Sequence, residues 1–447
     1  MVDLPPLTDN SVSEKAVDEP VLVKIKPYAG KKLKDLHEKF PDLLIFPPVM
    51  GDNDDDIGSQ PLFSLDEENK IRTGNLLGFF GVNGVSFVVR SRFDDSDKQL
   101  FLHHMLKKVF GHNILNLPTK TKGDNLWDLY YLLFPYCLKN ALRQGLFKTY
   151  RRFSYNDSHL RGTVDVVRHL RNNIPFAGRF AYQTRERTTD NPLIQLVRHT
   201  IEFIRANAAT APVLREKETA AAVNDVVAAT PTYAIGDRAK VIAQNLRPVR
   251  HPYFTDYTVL QKVCLKILRR EKLSFHDTGE KLHGIVFDGA WLWEEYLATV
   301  LKDKDFTHAR NKTKENGIPV YDKEKEGNKY NQYTVYPDFY KKEDTVIDAK
   351  YKRLDKSVCR EDRFQLIFYM HILNAAKGFL VYPIQCDDNT TIEDEGNIND
   401  KRIRFLNGCG GTIGRLPFHI PKDETNFEQQ MGEATNAFLK DLDETSR

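Results

Sequence analysis

The sequence has few cysteines, and none of them lie at the spacing of a metal or redox motif. Its five cysteines are scattered along 447 residues without a CxxC pair. This pattern argues against a disulfide framework and a zinc site, and is typical of a reducing compartment. No run of 18 apolar residues occurs, so no membrane-spanning helix is predicted. Residues 1–20 are acidic and polar without an apolar core, which does not fit a secretory signal, and we expect a cytoplasmic protein.

Several motifs of nucleotide and hydrolase chemistry are also missing. The sequence contains no GxxxxGK[ST] loop, no HExxH motif and no GxSxG motif. The glycine-rich segment 407–411 joins two predicted strands instead of opening a helix, so it does not fit a dinucleotide-binding loop. We therefore expect that the chain does not hydrolyse nucleotides through a P-loop and is neither an HExxH protease nor an α/β-hydrolase.

Charge is distributed unevenly along the chain. The total is only +3, but residues 101–171 contain 12 Lys and Arg against 4 Asp and Glu. Such a stretch suits contact with phosphates or with an acidic protein partner, and it is equally compatible with a solvated helical face. With 41% hydrophobic and 28% charged residues, the composition is that of a folded globular protein.

The length predicts two or three domains, and local patterns suggest where they lie. Asn83-Gly84 between two apolar runs predicts a β-hairpin, because both turn positions require positive φ. A helix is predicted over 125–144, which Pro135 should kink or split. The predicted division is a variable segment 1–70, an α+β N-terminal domain 71–250 and a C-terminal domain 251–447.

The C-terminal half has an alternating pattern of helices and strands. Helices are predicted over 288–302, 361–376 and 424–441, and strands over 333–340, 345–353, 378–383, 402–406 and 412–420. A helix, a hairpin, a helix and a buried strand in this order predict an α/β fold with a mixed central sheet.

Two carboxylates and one lysine are predicted to converge on this hairpin. Asp348 and Lys350 are two residues apart in a strand and therefore project from the same face. Pairing of the hairpin brings Asp338 alongside Asp348. Carboxylate oxygens bind Mg²⁺ through few protein ligands, and the ion polarises phosphate and acidifies water. The lysine is placed to orient the attacking water or to help deprotonate it, and to offset the developing charge. This set therefore predicts Mg²⁺-dependent phosphodiester hydrolysis.

Flanking helices carry further candidates. Glu294 and Glu295 lie on the helix before the hairpin, and either is a candidate third carboxylate. Gln365 and Tyr369 are one turn apart on the helix after the hairpin, so they share a face. They are placed to touch the site or the DNA backbone.

The order Glu, PD, DxK and QxxxY resembles the PD-(D/E)xK nuclease superfamily, and more narrowly the McrC family, the nuclease subunits of McrBC- and LlaJI-type restriction systems. The similar segments are LWEEYL (292–297), YPDFY (336–340), TVIDAKYK (345–352), FQLIFYMHIL (364–373) and GFLVYP (378–383). Segments LRGTVDVVRHL (160–170) and TTDNPLIQLV (188–197) resemble the family more loosely. The resemblance covers about residues 75–440, and residues 1–70 match nothing.

The resemblance implies a restriction-endonuclease-like mixed sheet flanked by helices and Mg²⁺-dependent cleavage of double-stranded DNA. It implies Asp338, Asp348 and Lys350 as the catalytic core, Glu294 as the helical carboxylate and a further metal ligand, and Gln365 and Tyr369 as supporting residues. It also implies an McrB-like AAA+ GTPase subunit, onto which residues 75–250 dock.

Other interpretations stay open at this stage. Asp338 and Lys350 alone would be compatible with an ordinary surface ion pair. The chain is alternatively an adaptor that activates the motor without cutting DNA, or a RecB-like exonuclease that acts on DNA ends without a motor. Against the ion pair stands Asp348, an acid within an apolar strand, where charge is costly without a role. Against the adaptor stand the intact Asp338, Asp348 and Lys350, since a decayed site would be expected to have lost at least one of them.

Overall fold

The computed structural model describes most of the chain. The described residues are 2–40, 42–47, 57–94, 99–110, 125–208, 210–269, 282–321, 333–354, 357–385, 403–408, 410–422 and 425–445. They group into two units, one made of Met1–Gly111 and Phe275–Arg447 and the other of His112–Ser274.

The strands are β1 Val2–Asp3, β2 Leu7–Thr8, β3 Leu43–Phe46, β4 Ser64–Leu65, β5 Ile71–Arg72, β6 Leu76–Val82, β7 Val85–Arg90, β8 Thr149–Asp157, β9 Thr163–Val164, β10 Phe180–Thr188, β11 Leu282–Asp288, β12 Thr307–His308, β13 Ile318–Pro319, β14 Thr334–Val335, β15 Phe339–Lys341, β16 Thr345–Ala349, β17 Lys377–Gln385, β18 Ile403–Phe405 and β19 Thr412–Ile420. The α-helices are α1 Glu19–Ile25, α2 Leu33–Lys39, α3 Leu100–Phe110, α4 Asn125–Arg143, α5 Val166–Asn172, α6 Pro192–Arg205, α7 Lys217–Ala229, α8 Arg238–Gln244, α9 Asp256–Arg269, α10 Gly289–Val300, α11 Arg360–Leu373 and α12 Phe427–Thr445.

The first unit contains a sheet that joins strands from the N-terminal part of the chain with β11. Its order is β1-β7-β6-β11-β3, with β2 also paired to β7. The predicted hairpin is confirmed, because β6 and β7 pair antiparallel around Asn83 and Gly84, which have φ of 46° and 79°. At the pairing of β6 with β11, a Cβ on Gly284 would lie 2.3 Å from the Phe79 carbonyl oxygen. Glycine is therefore required there for the strands to approach.

A second sheet in this unit has the order β12-β15-β16-β17-β19-β18. β15 and β16 form an antiparallel hairpin, while β16, β17 and β19 are parallel neighbours. α11 is the crossover between β16 and β17, as parallel strands require a long connection. This sheet has both antiparallel and parallel pairs, so the mixed α/β architecture predicted for the C-terminal half is confirmed.

Helix α10 begins at a capping residue and packs into the core. Asp288 accepts hydrogen bonds from the backbone nitrogens of Ala290 and Trp291, which satisfies donors left free in the first turn. Trp293 and Tyr296 are almost fully buried, and both rings lie edge-on to Phe418 of β19. This packing fixes α10 against the second sheet and so determines where Glu294 and Glu295 lie.

The second unit contains α4 to α9 and the sheet β8-β10-β9. β8 and β10 pair antiparallel over nine residues as a long ribbon. Helix α4 continues through Pro135 as one helix, so the predicted split does not occur. Asn191 caps α6 and accepts hydrogen bonds from the backbone nitrogens of Leu193 and Ile194, with Pro192 in the first turn.

The grouping differs from the three consecutive segments predicted from sequence. β3, from segment 1–70, pairs with β11, and so does β6, from segment 71–250. These strands bury one apolar core, so residues 1–70 are not a separate appendage. The basic stretch 101–171 is divided between the units, and residues 111–124 within it lie outside the described part of the chain. In the described ranges, no helix combines the length and apolarity needed to cross a bilayer.

Candidate active site

The β15–β16 hairpin brings the two predicted aspartates together. Phe339 pairs with Ile347 in the antiparallel register, which places Asp338 opposite Asp348, one residue beyond the ladder. Directly opposite residues in an antiparallel pair lie on the same face. Asp338 Oδ2 also accepts a hydrogen bond of 2.6 Å from the backbone nitrogen of Ala349. The Asp338 carboxylate is therefore held against the strand that carries Asp348.

Both aspartates lie where charge is costly. Only 2% of the Asp348 side chain is exposed. Burial raises the pKa of Asp338 well above its ordinary value, and the nearby charges of Glu294 and Asp348 raise it further. Burial also raises the pKa of Asp348, although the Lys350 ammonium opposes this shift. Buried acidic groups with raised pKa values and a charged partner are typical of functional sites.

Lys350 is placed directly against the carboxylate pair. Its Nζ lies 2.7 Å from Asp348 Oδ2 and 3.7 Å from Asp362 Oδ1. Burial disfavours its charged form, but the Asp348 carboxylate outweighs this effect, and the pKa of Lys350 is raised above its usual value. A lysine that keeps its proton is a poor base. The structure therefore favours charge neutralisation and orientation of water over the deprotonation that the sequence left open.

Helix α11 supplies the predicted glutamine and tyrosine. Lys350 Nζ donates to Gln365 Oε1 at 3.0 Å, and Gln365 Nε2 donates to the Tyr369 hydroxyl at 2.9 Å. The helix lies very close to β17, because a Cβ on Gly378 would lie 2.5 Å from the Met370 sulfur. Gln365 therefore links the lysine to Tyr369 along one face of α11.

The two glutamates of α10 have different surroundings. Glu295 pairs with the Arg310 guanidinium through two hydrogen bonds, of 2.9 and 3.0 Å. Glu294 Oε1 lies 2.7 Å from His308 Nε2 and acts electrostatically on Asp338. Burial, with the charge of Glu295, raises the pKa of Glu294 to about 8. Glu294 therefore acts on Asp338 through its charge, whereas Glu295 is engaged in an ion pair.

The donor set fits a hard divalent cation, although it is not a finished metal cage. Within the described ranges, no group of three or more His, Cys, Asp or Glu side chains is already arranged to hold a metal ion. Mg²⁺ differs from zinc in this respect, because it keeps several waters and uses one or two protein carboxylates with substrate phosphates. Asp338 and Asp348 supply such a pair, and Glu294 lies beside them. The residues present are compatible with Mg²⁺.

Sequence reasoning missed His308 and Arg310, which hold the two glutamates. The His308 ring stacks on Phe339 with centroids 4.7 Å apart. Burial lowers the pKa of His308, although the charges of Glu295 and Asp338 oppose this shift. Both residues lie at or just after β12, a strand of two residues that pairs with β15. So short a strand has no detectable alternation, and no sequence signal pointed to these residues.

All six predicted side chains are accounted for by this arrangement. Asp338, Asp348, Lys350, Gln365 and Tyr369 are brought together by the hairpin and α11, and Glu294 joins them from α10. Their catalytic and metal-binding roles stay predictions.

Comparison with known proteins identifies the family. A family model described as McrBC 5-methylcytosine restriction system component matches residues 71–383, most of the chain. No curated protein sequence matches. A chain of the refined half-complex of Thermococcus gammatolerans McrB AAA+ hexamers with bound McrC aligns at 16% identity and a TM-score of 0.48, covering 99% of this chain and 100% of that one. A chain of the Thermococcus gammatolerans McrBC cryo-EM structure aligns at 17% identity and a TM-score of 0.30, covering 67% of this chain and 87% of that one. By the family match, the chain belongs to the McrBC 5-methylcytosine restriction system component family.

Proposed function

We propose that this chain is the Mg²⁺-dependent DNA endonuclease subunit of an McrBC-like, GTP-dependent restriction system. The observation that carries the proposal is the convergence of Asp338 and Asp348 beside Lys350, with the charge of Glu294 acting on Asp338. Two buried aspartates side by side are costly unless they serve a cation, and the lysine beside them suits an anionic substrate. Membership of a restriction-system family supports DNA as that substrate.

The second sheet is proposed to be a PD-(D/E)xK nuclease core. Support comes from the element order, in which an acidic helix, a hairpin with both aspartates, a crossover helix and a parallel strand follow one another. In this arrangement each of the six side chains lies on the element that its proposed role requires.

The proposed mechanism assigns the ion to Asp338 and Asp348, with Glu294 beside them. Bound there, Mg²⁺ supplies charge neutralisation at the scissile phosphate and acidification of water. Lys350 keeps its proton and stabilises negative charge that develops on the phosphate oxygens. Gln365 accepts a hydrogen bond from this ammonium, which limits its rotation, and Tyr369 holds the glutamine in turn.

An AAA+ GTPase of the McrB type is the proposed partner. This chain has no GxxxxGK[ST] motif, so GTP hydrolysis in such a system has to come from another chain. The second unit offers a surface for this partner at helix α5 and the residues after it, between β9 and β10. None of the residues of α5 is buried, and Val167 is 79% exposed. This surface, which we call the α5 patch, comprises Val166, Val167, Leu170, Ile174 and Phe176.

The ribbon itself suits contact with phosphates of double-stranded DNA. Arg152 and Arg185 are exposed and lie directly opposite each other, an arrangement of like charges that destabilises an isolated ribbon. The Arg185 guanidinium lies 4.8 Å from the Tyr150 ring centroid. No carboxylate is paired with either arginine among the described residues. An anionic partner would offset this repulsion.

The test of the proposal is cleavage of covalently closed plasmid DNA by the chain with an McrB-type GTPase, Mg²⁺ and GTP. Cleavage that requires Mg²⁺ and GTP would support it. A chain that degrades linear DNA without a motor, but leaves closed circles intact, would instead be a RecB-like exonuclease. Stimulated GTP hydrolysis without cleavage of any DNA would identify an adaptor.

Mg²⁺ affinity is expected to rise with pH. Because the pKa of Glu294 is raised to about 8, this group holds a proton at lower pH that Mg²⁺ has to displace, and the raised pKa values of Asp338 and Asp348 act in the same direction. Affinity should increase by up to about tenfold per pH unit for each proton displaced, approaching a plateau above the Glu294 pKa of about 8. Calorimetric titration between pH 6 and pH 9 measures this slope. The same affinity at pH 6 and pH 8 would contradict the assignment.

The variants Glu294→Gln and Glu295→Gln are expected to have opposite effects on stability. Removing the Glu294 charge relieves its repulsion with Asp338 and should stabilise the metal-free protein at pH 8 by about 1 kcal/mol. Glu295→Gln should destabilise it by about 1 kcal/mol, because the partly exposed Arg310 loses its carboxylate partner. Thermal unfolding with and without Mg²⁺ separates the two. The sign for Glu294→Gln follows from linkage, since a raised folded-state pKa means that stability falls as pH rises.

Added Mg²⁺ provides the second readout for the same pair. Glu295→Gln should keep the stabilisation that Mg²⁺ gives the wild type, and Glu294→Gln should lose part of it. If Glu295→Gln were the variant that lost it, the roles of the two glutamates would be reversed.

A further inference from the structure

Tyr351, the residue after Lys350, is held by residues just after β7, a strand in the first sheet of the same unit. Tyr351 is 4% exposed, and its hydroxyl lies 2.7 Å from Ser91 Oγ. Arg92 Nη2 donates a hydrogen bond of 2.7 Å to the backbone oxygen of Tyr351. Both the side chain and the backbone of Tyr351 are therefore held by residues that follow β7.

Arg92 is itself held in one orientation. Its Nη2 donates to Asn75 Oδ1 at 2.8 Å, and its Nε lies 3.4 Å from Oδ2 of the fully buried Asp9. The guanidinium also lies 5.0 Å from the centroid of the Tyr351 ring. A guanidinium with partners on several sides has little freedom to turn, so Arg92 holds the groups around it in fixed positions.

Tyr351 also contacts the start of the helix that carries Glu294. A Cβ on Gly289 would lie 2.7 Å from the Tyr351 ring, so the ring packs directly against the backbone at this position. The Gly289 nitrogen donates to the backbone oxygen of Asn75 at 2.8 Å. Asn75 thus contacts both Arg92 and the first residue of α10.

We propose that Arg92 and Tyr351 are positioning residues, which fix Lys350, directly after β16, and Glu294 on α10 relative to each other. Neither residue forms a described contact with Asp338, Asp348 or Glu294. The inference rests on the proposed function only for its effect on catalysis. Residues that orient metal ligands typically change metal affinity or activity by about 10- to 100-fold when they are replaced. The N-terminal residues would then be part of the catalytic architecture, which accounts for their sharing a unit with the C-terminal sheet.

The test compares Arg92→Lys and Tyr351→Phe with the control Tyr28→Phe in the full-length chain. Tyr28 is 2% exposed in the same unit, and its hydroxyl contacts Asn83 at the β6–β7 turn. Arg92→Lys keeps the charge beside Asp9, and Tyr351→Phe keeps the ring, so both variants preserve most of the packing. The first readout is hydrogen exchange at the amides of Ala349 and Lys350, which donate to Asp338 Oδ2 and to the Val381 backbone oxygen.

These amides are expected to exchange about tenfold faster in Arg92→Lys and Tyr351→Phe than in the wild type, and at the wild-type rate in Tyr28→Phe. The second readout is DNA cleavage with the partner GTPase. We expect kcat to fall by about tenfold in both positioning variants, with KM for DNA unchanged. A merely structural role would lower thermal stability and leave kcat of the folded fraction unchanged.

The outcomes separate this inference from the proposed function. Unchanged exchange at Ala349 and Lys350 in both variants would overturn the positioning role, whether or not DNA is cut. If the wild type cut no DNA, the proposed function would fail, and the exchange rates would still decide whether the two residues position the site. Equal losses of kcat in all three variants would also overturn the inference.

Discussion

Asp348→Ala is expected to lower Mg²⁺-dependent cleavage of plasmid DNA by about 1000-fold or more, with stimulation of the partner's GTP hydrolysis unchanged. Asp348 is the most deeply buried acid of the proposed site and forms a 2.7 Å ion pair with Lys350. Its loss removes one proposed metal ligand and leaves the ammonium without its nearest carboxylate. The measurement is plasmid cleavage with GTP and Mg²⁺, on methylated and unmethylated DNA, with GTP hydrolysis followed in the same reactions.

The matched control is Asp344→Asn, which changes an acid in the turn of the same hairpin. Only the backbone atoms of Asp344 form described hydrogen bonds, to Lys341 and Lys377, so the variant should cut DNA like the wild type. If Asp348→Ala cut as well as this control, the site would be wrong. If neither the wild type nor any variant cut DNA, while GTP hydrolysis was still stimulated, the chain would be an adaptor.

Val167→Asp is expected to weaken binding to the motor subunit by about 30-fold or more and to abolish GTPase stimulation at low protein concentration. Val167 is 79% exposed at the centre of the α5 patch, where burial in a partner would favour an apolar side chain. A carboxylate there would have to be desolvated without a counter-charge, which costs binding energy. Affinity can be measured by sedimentation, and GTP hydrolysis by phosphate release.

The control for this surface is Ile235→Asp, which places the same charge at an equally exposed apolar residue of the same unit. Ile235 is 72% exposed and lies outside the α5 patch. Its variant should bind and stimulate the motor normally. Mg²⁺ affinity should be unchanged in both variants, because neither residue belongs to the metal site. If Ile235→Asp weakened motor binding as strongly as Val167→Asp, the docking surface would not be the α5 patch.

The two predictions test separate parts of the proposed division of labour. Asp348→Ala should abolish cleavage without loss of motor activation, and Val167→Asp should abolish both motor activation and the cleavage that depends on it. The adaptor interpretation predicts no cleavage in any variant and only the loss of motor activation in Val167→Asp.

Much of the candidate site was predictable from sequence because its residues lie on locally recognisable elements. Alternation in β16 placed Asp348 and Lys350 on one face, and helical spacing in α11 placed Gln365 beside Tyr369. The turn at Asn83-Gly84 was equally predictable, because its positive φ values have a local chemical cause. These features depend on neighbours within a few residues, which the sequence contains in full.

Only the tertiary structure separated Glu294 from Glu295, because the choice depends on His308 and Arg310, which lie on another element. The direction in which the pKa of Lys350 is shifted also depends on the carboxylates around it. The pairing of β11 with both β3 and β6 had no local signal either, although it makes residues 1–70 part of the unit that carries the site. Strand pairing and burial of charge depend on residues distant in the chain, so the sequence alone determined the candidate side chains and their elements, and the tertiary structure determined their partners and the direction of their pKa shifts.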